Sequence, residues 1–299
     1  MTARLAVFLL VCTPALAGAQ SLEPRLYLPL PTGRNTLVPS YSYMDGDLVV
    51  DGSLPIGDAH ATLHTATLAY VRTFGLFGRS AQVQAVTQFT SGTARGTVAG
   101  VDTTRELRGL ADPHLRFAVN LAGGPARRRA ELAGVRFGTI VGASASLVLP
   151  LGHYDQDYSV NLGANRWAIK PELGVVQPLA PGWALEGYAG VWLYGSNTEF
   201  RDTATVTQEP LWGLQTHLIR TFGLRGWIAL DATIVYGGAT SVNGTVQNTF
   251  QRNVRLGATA GWVLARDHAL RASFSTGVYT RLGGDFLVLS GGYSYTWGG

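Results

Sequence analysis

Long runs of alternating residues constrain this chain more than any other feature it carries. In Leu115-Arg116-Phe117-Ala118-Val119-Asn120-Leu121 every odd position is apolar and every even one is charged, small or polar. Between 166 and 175 the odd positions hold Trp167, Ile169, Pro171, Leu173 and Val175, against Arg166, Ala168, Lys170, Glu172 and Gly174. A period of two sends alternate side chains to opposite faces of a strand, so these segments separate an apolar face from a mixed one. Similar runs cover 183–194, 227–236 and 251–264. They are about 10–14 residues long, against ~5–6 for a strand in a soluble protein and ~9–11 for one that crosses a membrane. No uninterrupted apolar stretch of about 18 residues accompanies them, so a spanning helix is not expected. A closed barrel, which satisfies every backbone group internally, is the remaining way to sit in a bilayer.

Composition agrees. Of 299 residues 46% are hydrophobic and 14% charged, which excludes a disordered chain. The single cysteine, Cys12, excludes a disulfide scaffold. A net charge of +4 without a clustered basic face gives no reason to expect nucleic acid as a partner. Residues 1–19 read as a secretory signal: Arg4, an apolar stretch from Leu5 to Cys12, then small-x-small sites at Ala15-Leu16-Ala17 and Ala17-Gly18-Ala19. Residues 20–299 are then the exported barrel.

Twelve antiparallel strands are expected, over 34–44, 61–73, 79–90, 110–121, 136–149, 164–178, 183–195, 210–222, 225–237, 250–264, 269–280 and 286–297. Long connections (45–60, 91–109, 150–163, 196–209, 238–249 and, more weakly, 281–285) follow odd strands. Tight ones such as Gly75-Leu76-Phe77-Gly78, Ala180-Pro181-Gly182 and Gly223-Leu224 follow even strands. Outer-membrane barrels have even strand counts, short periplasmic turns and long outer loops, so both termini are expected in the periplasm.

A charged side chain on the lipid face costs ~2–4 kcal/mol at the midplane, so the charged parity is assigned to the lumen. That places Arg72, Arg116, Arg136, Arg166, Lys170, Arg255 and Arg271 inside, with Glu172, Glu186, Asp231 and His217. Tyr188 and Trp192 share this parity, as do Tyr70, Tyr194, Trp227 and Tyr279. Trp167, Trp183, Trp212 and Trp262 fall on the outward parity, where aromatic girdles belong. Arg220 and Arg252 are outward too, near strand ends where snorkelling is cheap.

The last strand alternates Tyr293, Tyr295 and Trp297, and Gly298 and Gly299 extend past it. The pattern resembles the C-terminal signal that outer-membrane proteins present to the barrel-assembly machinery. Other stretches carry a wider likeness: DGSLPIGDA (51–59), RTFGLFGRSAQV (72–83), GLADPHLRFAVNL (109–121), TIVGAS (139–144) and PLGHYD (150–155). NRWAIKPELG (165–174), LEGYAGVW (185–192), DATIVYGG with VNG (231–244) and TRLGGDF (280–286) continue it. Together they resemble the bacterial outer-membrane family of meta-pathway phenol degradation proteins, described as transporters. The resemblance implies a barrel set in the lipid and lipopolysaccharide of a Gram-negative outer membrane. It also implies uptake of a small aromatic, phenolic solute.

Catalysis finds little support. The six histidines form no HExxH pair and no GxSxG is present, so no enzyme is expected. An outer-leaflet lipid hydrolase would need a Ser beside a His at the outer rim. No cofactor motif appears, and Asp45/Asp47 and Asp155/Asp157 offer oxygen ligands without a full Ca²⁺ set, so no metal is expected. Two readings of the lumen stand. An arginine-and-aromatic lining suits a channel or transporter for small hydrophobic or aromatic compounds. The same arginines, paired with Glu172, Glu186 and Asp231, would make a closed structural or adhesive barrel displaying its outer loops.

Overall fold

The computed structural model describes residues 22–299 except 50–55, 133, 134, 136, 159 and 202. The expected leader (1–19) and Arg136 lie outside the described residues. The chain begins its sheet with β1 (Asn35–Val49), β2 (Ile56–Leu76), β3 (Arg79–Val98), β4 (Val101–Leu110) and β5 (His114–Ala122). A short helix, α1 (Arg129–Leu132), precedes β6 (Ile140–Val148), β7 (Ala168–Ala180) and β8 (Trp183–Tyr194). Then come β9 (Asn197–Phe200), β10 (Ala204–Gln208), β11 (Leu211–Phe222), β12 (Gly226–Gly237), β13 (Thr240–Val242) and β14 (Thr245–Val246). The last three are β15 (Gln251–Ala265), β16 (His268–Thr280) and β17 (Gly283–Trp297).

The ring closes where β1 pairs β17, from Asn35↔Trp297 to Val49↔Gly283. Around it the strands pair antiparallel with their chain neighbours, giving a closed 12-strand barrel. β4 and β5 share one place in the ring. β3 pairs β5 low down (Ala81↔Val119 to Val86↔His114) and β4 higher up (Phe89↔Leu110 to Val98↔Val101). The strand expected over 110–121 is therefore broken at 111–113, where Pro113 has no N–H to give a ladder. Most of the loop expected at 91–109 is instead the upper part of the β3–β4 hairpin.

Other strands also run past their expected outer ends, β2 reaching 21 residues. β6 and β7 start later than expected, at Ile140 and Ala168. The outer segments 196–209 and 238–249 carry β9, β10, β13 and β14, which form a separate four-stranded sheet.

The two faces separate as period two requires. In β7, Ala168, Lys170, Glu172, Gly174 and Val176 are buried while Ile169, Pro171, Leu173 and Val175 are exposed to the lipid side. Trp167, Trp183, Trp212 and Trp262 are all exposed on that outer face. Near the periplasmic rim Arg220 lies over Trp183 and Phe222 and donates to the Pro181 carbonyl at 2.8 Å.

Candidate functional site

The interior is crossed by residues 22–34, the stretch just before β1. Its first two residues reach nearly opposite walls: Arg271 of β16 donates to the Leu22 carbonyl at 3.0 Å, and Arg116 of β5 pairs with Glu23 at 2.7 Å. Tyr27 anchors the segment and is 2% exposed. Its ring sits where the register pairs Gly142 with Gly174, and a Cβ on either glycine would collide with it. The Tyr27 hydroxyl bonds Ser144 Oγ at 3.1 Å and Glu172 Oε1 at 3.2 Å. The ring meets Tyr188 edge-on, with centroids 5.1 Å apart. Tyr188 in turn accepts the Leu26 amide at 3.2 Å and donates to Glu186, whose carboxylate also accepts the Arg25 amide at 2.7 Å.

The inner wall of β5 to β8 thus gathers five of the expected lumen residues around this segment: Arg116, Lys170, Glu172, Glu186 and Tyr188. Lys170 pairs with Glu172 at 2.5 Å, and its ammonium lies 5.6 Å from the Trp192 ring. Next along the wall, His217 Nδ1 meets Asp231 Oδ1 at 2.7 Å, and Thr259 donates to the other Asp231 oxygen at 2.6 Å. Arg255 donates to Ser275 Oγ at 3.1 Å and to the Phe286 carbonyl at 2.8 Å. Arg166 precedes β7 at the outer end of the lumen, its guanidinium 4.8 Å from the Tyr194 ring.

Three expected inward residues lie elsewhere. Tyr70 and Arg72 pair in register with Ala85 and Val83 and share the exposed outer face with Leu68. Arg72 donates to Asn35 Oδ1 at 2.8 Å beside the periplasmic turn, where a cation on the outer face costs little. A register shift between Val254 and Arg255 brings Tyr279 outward, beside exposed Arg252.

The sequence reading gives residues 22–33 no strand and no contact, starting the first strand at 34. The signal available was Pro24, Pro29 and Pro31, which forbid a ladder strand and leave Tyr27 and Glu23 without an obvious solvent-facing reason.

The outer end of the lumen is covered as well. The connection after β6 folds inward, so that Val160 and Leu162 pack with Leu48 of β1, Ala61 and Leu63 of β2, Ala94 of β3, Leu107 of β4 and Phe286 of β17. Asp112 secures it by accepting the Gly152 and Ala164 amides at 2.8 and 2.7 Å. Burial raises the Asp112 pKa, against the lowering effect of those two amides.

The wall has one unzipped seam. The β16–β17 ladder runs from His268↔Tyr295 to Ser275↔Val288 and stops there. Beyond it β16 follows β15 as far as Asn253↔Thr280, while β17 follows β1 as far as Val49↔Gly283. The separated edges are held from inside by side chains. Arg255 takes the Phe286 carbonyl, and Asn253 takes the Leu282 carbonyl at 2.9 Å and the Arg281 amide at 3.0 Å.

Asp45 and Asp47 face His60 across β1 and β2, at 3.3 and 2.9 Å. Among the described residues no group of three or more His, Cys, Asp and Glu is placed to hold a metal ion.

A family model described as "Putative MetA-pathway of phenol degradation" matches residues 42–290. Among solved structures the chain is similar to an outer membrane channel from Pseudomonas putida F1. The TM-score is 0.76 at 21% identity, covering 93% of this chain and 100% of that one. It is also similar to the β domain of the Bordetella autotransporter BrkA (TM-score 0.51, 14% identity, covering 88% and 99%). A third likeness is to the transport unit of the Escherichia coli autotransporter AIDA-I (TM-score 0.51, 7% identity, covering 95% and 96%). No curated protein matches the chain. At these identities the structural likenesses speak to the fold, that of a Gram-negative outer-membrane barrel.

Proposed function

The chain belongs to the MetA-pathway phenol degradation family and is an outer-membrane β-barrel, and from that premise we propose that it is a channel for small hydrophobic or aromatic, phenol-like molecules. Its solutes cross the wall sideways, through the seam between β16 and β17. The observation that carries this reading is the seam itself, which begins at Thr276, eight residues after the strand starts. A crossing takes ~9–11 residues, so the opening lies at the level of the outer leaflet.

Passage along the axis would have to displace residues 22–34, whereas the seam adjoins the apolar cluster that holds Phe286, Leu162 and Leu48. An apolar ring moving from that cluster into lipid never meets water. From inside, Arg255 bonds the Phe286 carbonyl on the β17 edge, and Asn253 bonds the Leu282 carbonyl and the Arg281 amide in the turn.

The second reading, a closed barrel that only displays its loops, draws on the paired interior, with Lys170–Glu172 and Arg116–Glu23 neutralised in place. A disulfide separates the two. Residues 20–299 contain no cysteine, and continuing the β16–β17 register places Thr276 opposite Leu287. In a Thr276→Cys/Leu287→Cys variant the bond forms only with the strands zipped, Cα atoms ~5.5–6 Å apart. Oxidation is expected to stop uptake of phenol or toluene into proteoliposomes and reduction to restore it. Uptake that is indifferent to oxidation, or absent from the parent protein, would refute lateral passage.

A further inference from the structure

We propose that Arg166 is a recognition point for a negatively charged group, and that the barrel selects small aromatic carboxylates over neutral rings of the same size. This deepens the channel reading and rests on it for its biological sense, though not for its test.

Arg166 is 3% exposed. One guanidinium nitrogen, Nη2, is taken by the Gln208 side-chain oxygen; Nε and Nη1 are buried and meet no acceptor. Among the described residues the other expected inward cations have partners. Arg116 has Glu23, Lys170 has Glu172, and Arg255 and Arg271 donate to backbone carbonyls. Asp112 acts on Arg166 through space but makes no hydrogen bond to it, its oxygens accepting the Gly152 and Ala164 amides instead.

A buried guanidinium with two N–H groups left without an acceptor is costly, and buried charges in proteins are found paired and hydrogen-bonded. Its planar array of donors suits a carboxylate. The surroundings supply the other half of the ligand. Tyr194 lies under the guanidinium, and Tyr194 and Trp192 pack together with Leu211 and Val235 as an apolar bed on the same wall. A guanidinium with two open donors above one aromatic, aliphatic surface describes a ring carrying a single carboxylate.

The test uses the full barrel in detergent, titrated with benzoate, its near-isosteric neutral partner benzyl alcohol, and acetate, by calorimetry and by Trp fluorescence. Benzoate is expected to bind at least tenfold more tightly than either of the others. In Arg166→Gln the benzoate-to-benzyl alcohol ratio falls towards one, and Arg166→Lys retains part of it. Equal benzoate affinity in the parent and Arg166→Gln overturns the proposal, as does acetate binding as tightly as benzoate. Should Arg166→Gln lose the heat-dependent gel shift of a folded barrel, the parent and Arg166→Lys ratios decide alone. A barrel that binds benzoate as expected yet passes no solute in proteoliposomes overturns the channel reading and leaves this one standing.

Discussion

Truncating Tyr27 to alanine should unseat residues 22–34 while leaving the barrel folded. Burying an aromatic side chain of this kind removes ~150–250 Å² from water. Truncating such a ring in a packed site costs ~3–5 kcal/mol. The edge-on contact with Tyr188 accounts for ~0.5–1.5 kcal/mol of that order of energy. The hydroxyl bonds to Ser144 and Glu172 disappear with the ring, but Glu172 keeps Lys170 and is not left bare. None of this touches the strand ladders. At ~1.4 kcal/mol per decade, the seated-to-unseated ratio should fall about 10²–10³-fold or slightly more.

Planar-bilayer recordings read the change as more frequent and longer open events, and hydrogen exchange reads it as lost protection over 22–34. The reasoning also makes Gly174→Ala a second route to the same state, because the added Cβ would occupy the space of the Tyr27 ring. Elsewhere in a strand, replacing glycine by alanine is favourable by roughly 0.5–1 kcal/mol, so unseating by this variant would not reflect strand propensity. Tyr27→Ala with open occupancy within threefold of the parent, and with residues 22–34 still protected, would refute the anchoring role.

Two further outcomes follow from the charged contacts. Lys170→Met leaves Glu172 buried without its cation and should cost ~3–5 kcal/mol in urea unfolding from micelles, whereas Lys170→Met/Glu172→Leu recovers most of it. A single-variant loss below ~1 kcal/mol would mean the pair is not desolvated. In the periplasmic turn after β15, hydrogen bonds from Arg34, then Arg129, hold the Asp267 carboxyl below its ordinary value of 3.8. A lowered carboxyl pKa stabilises above the unfolded value and stops doing so as pH falls through the folded one. Hydrogen exchange in the 122–139 connection should therefore rise as the pH drops below 3.8, and Asp267→Asn should show the raised exchange already at neutral pH. An unchanged exchange profile in Asp267→Asn would show that this clasp does not secure the connection.

The barrel was legible because the bilayer enforces it: a strand between lipid and lumen must alternate, as 166–175 does residue by residue. Where that pressure ends, the legibility ends. The upper parts of β3 and β4, TSGTARGTV and VDTTRELRG, stand above the lipid with polar groups on both faces and therefore read as loop. Arg72 was misplaced by pricing every outward charge at the midplane, although it stands beside the turn at Phe77-Gly78, where that price vanishes. Tyr279 was misplaced by counting parity through a bulge, which no pattern of residue types marks.

The electrostatics of the interior were harder to read, and for a different reason. Counting inward residues gives more cations than anions, but a count spreads the surplus evenly along the lumen. Its real distribution depends on a partner outside the strands. Glu23 neutralises Arg116 from 93 positions away, and the carbonyl of Leu22 occupies Arg271 from 249 positions away. Neither link has a local pattern, because residues 22–34 have no period to read. Once that segment is in place, Arg116 and Arg271 have partners, and among the expected inward cations that the structure describes it is Arg166 that keeps two buried N–H groups without an acceptor. A basic lumen of uniform field would attract anions of every kind. A guanidinium with two open donors over an apolar bed instead favours a solute with one charged end and one greasy end.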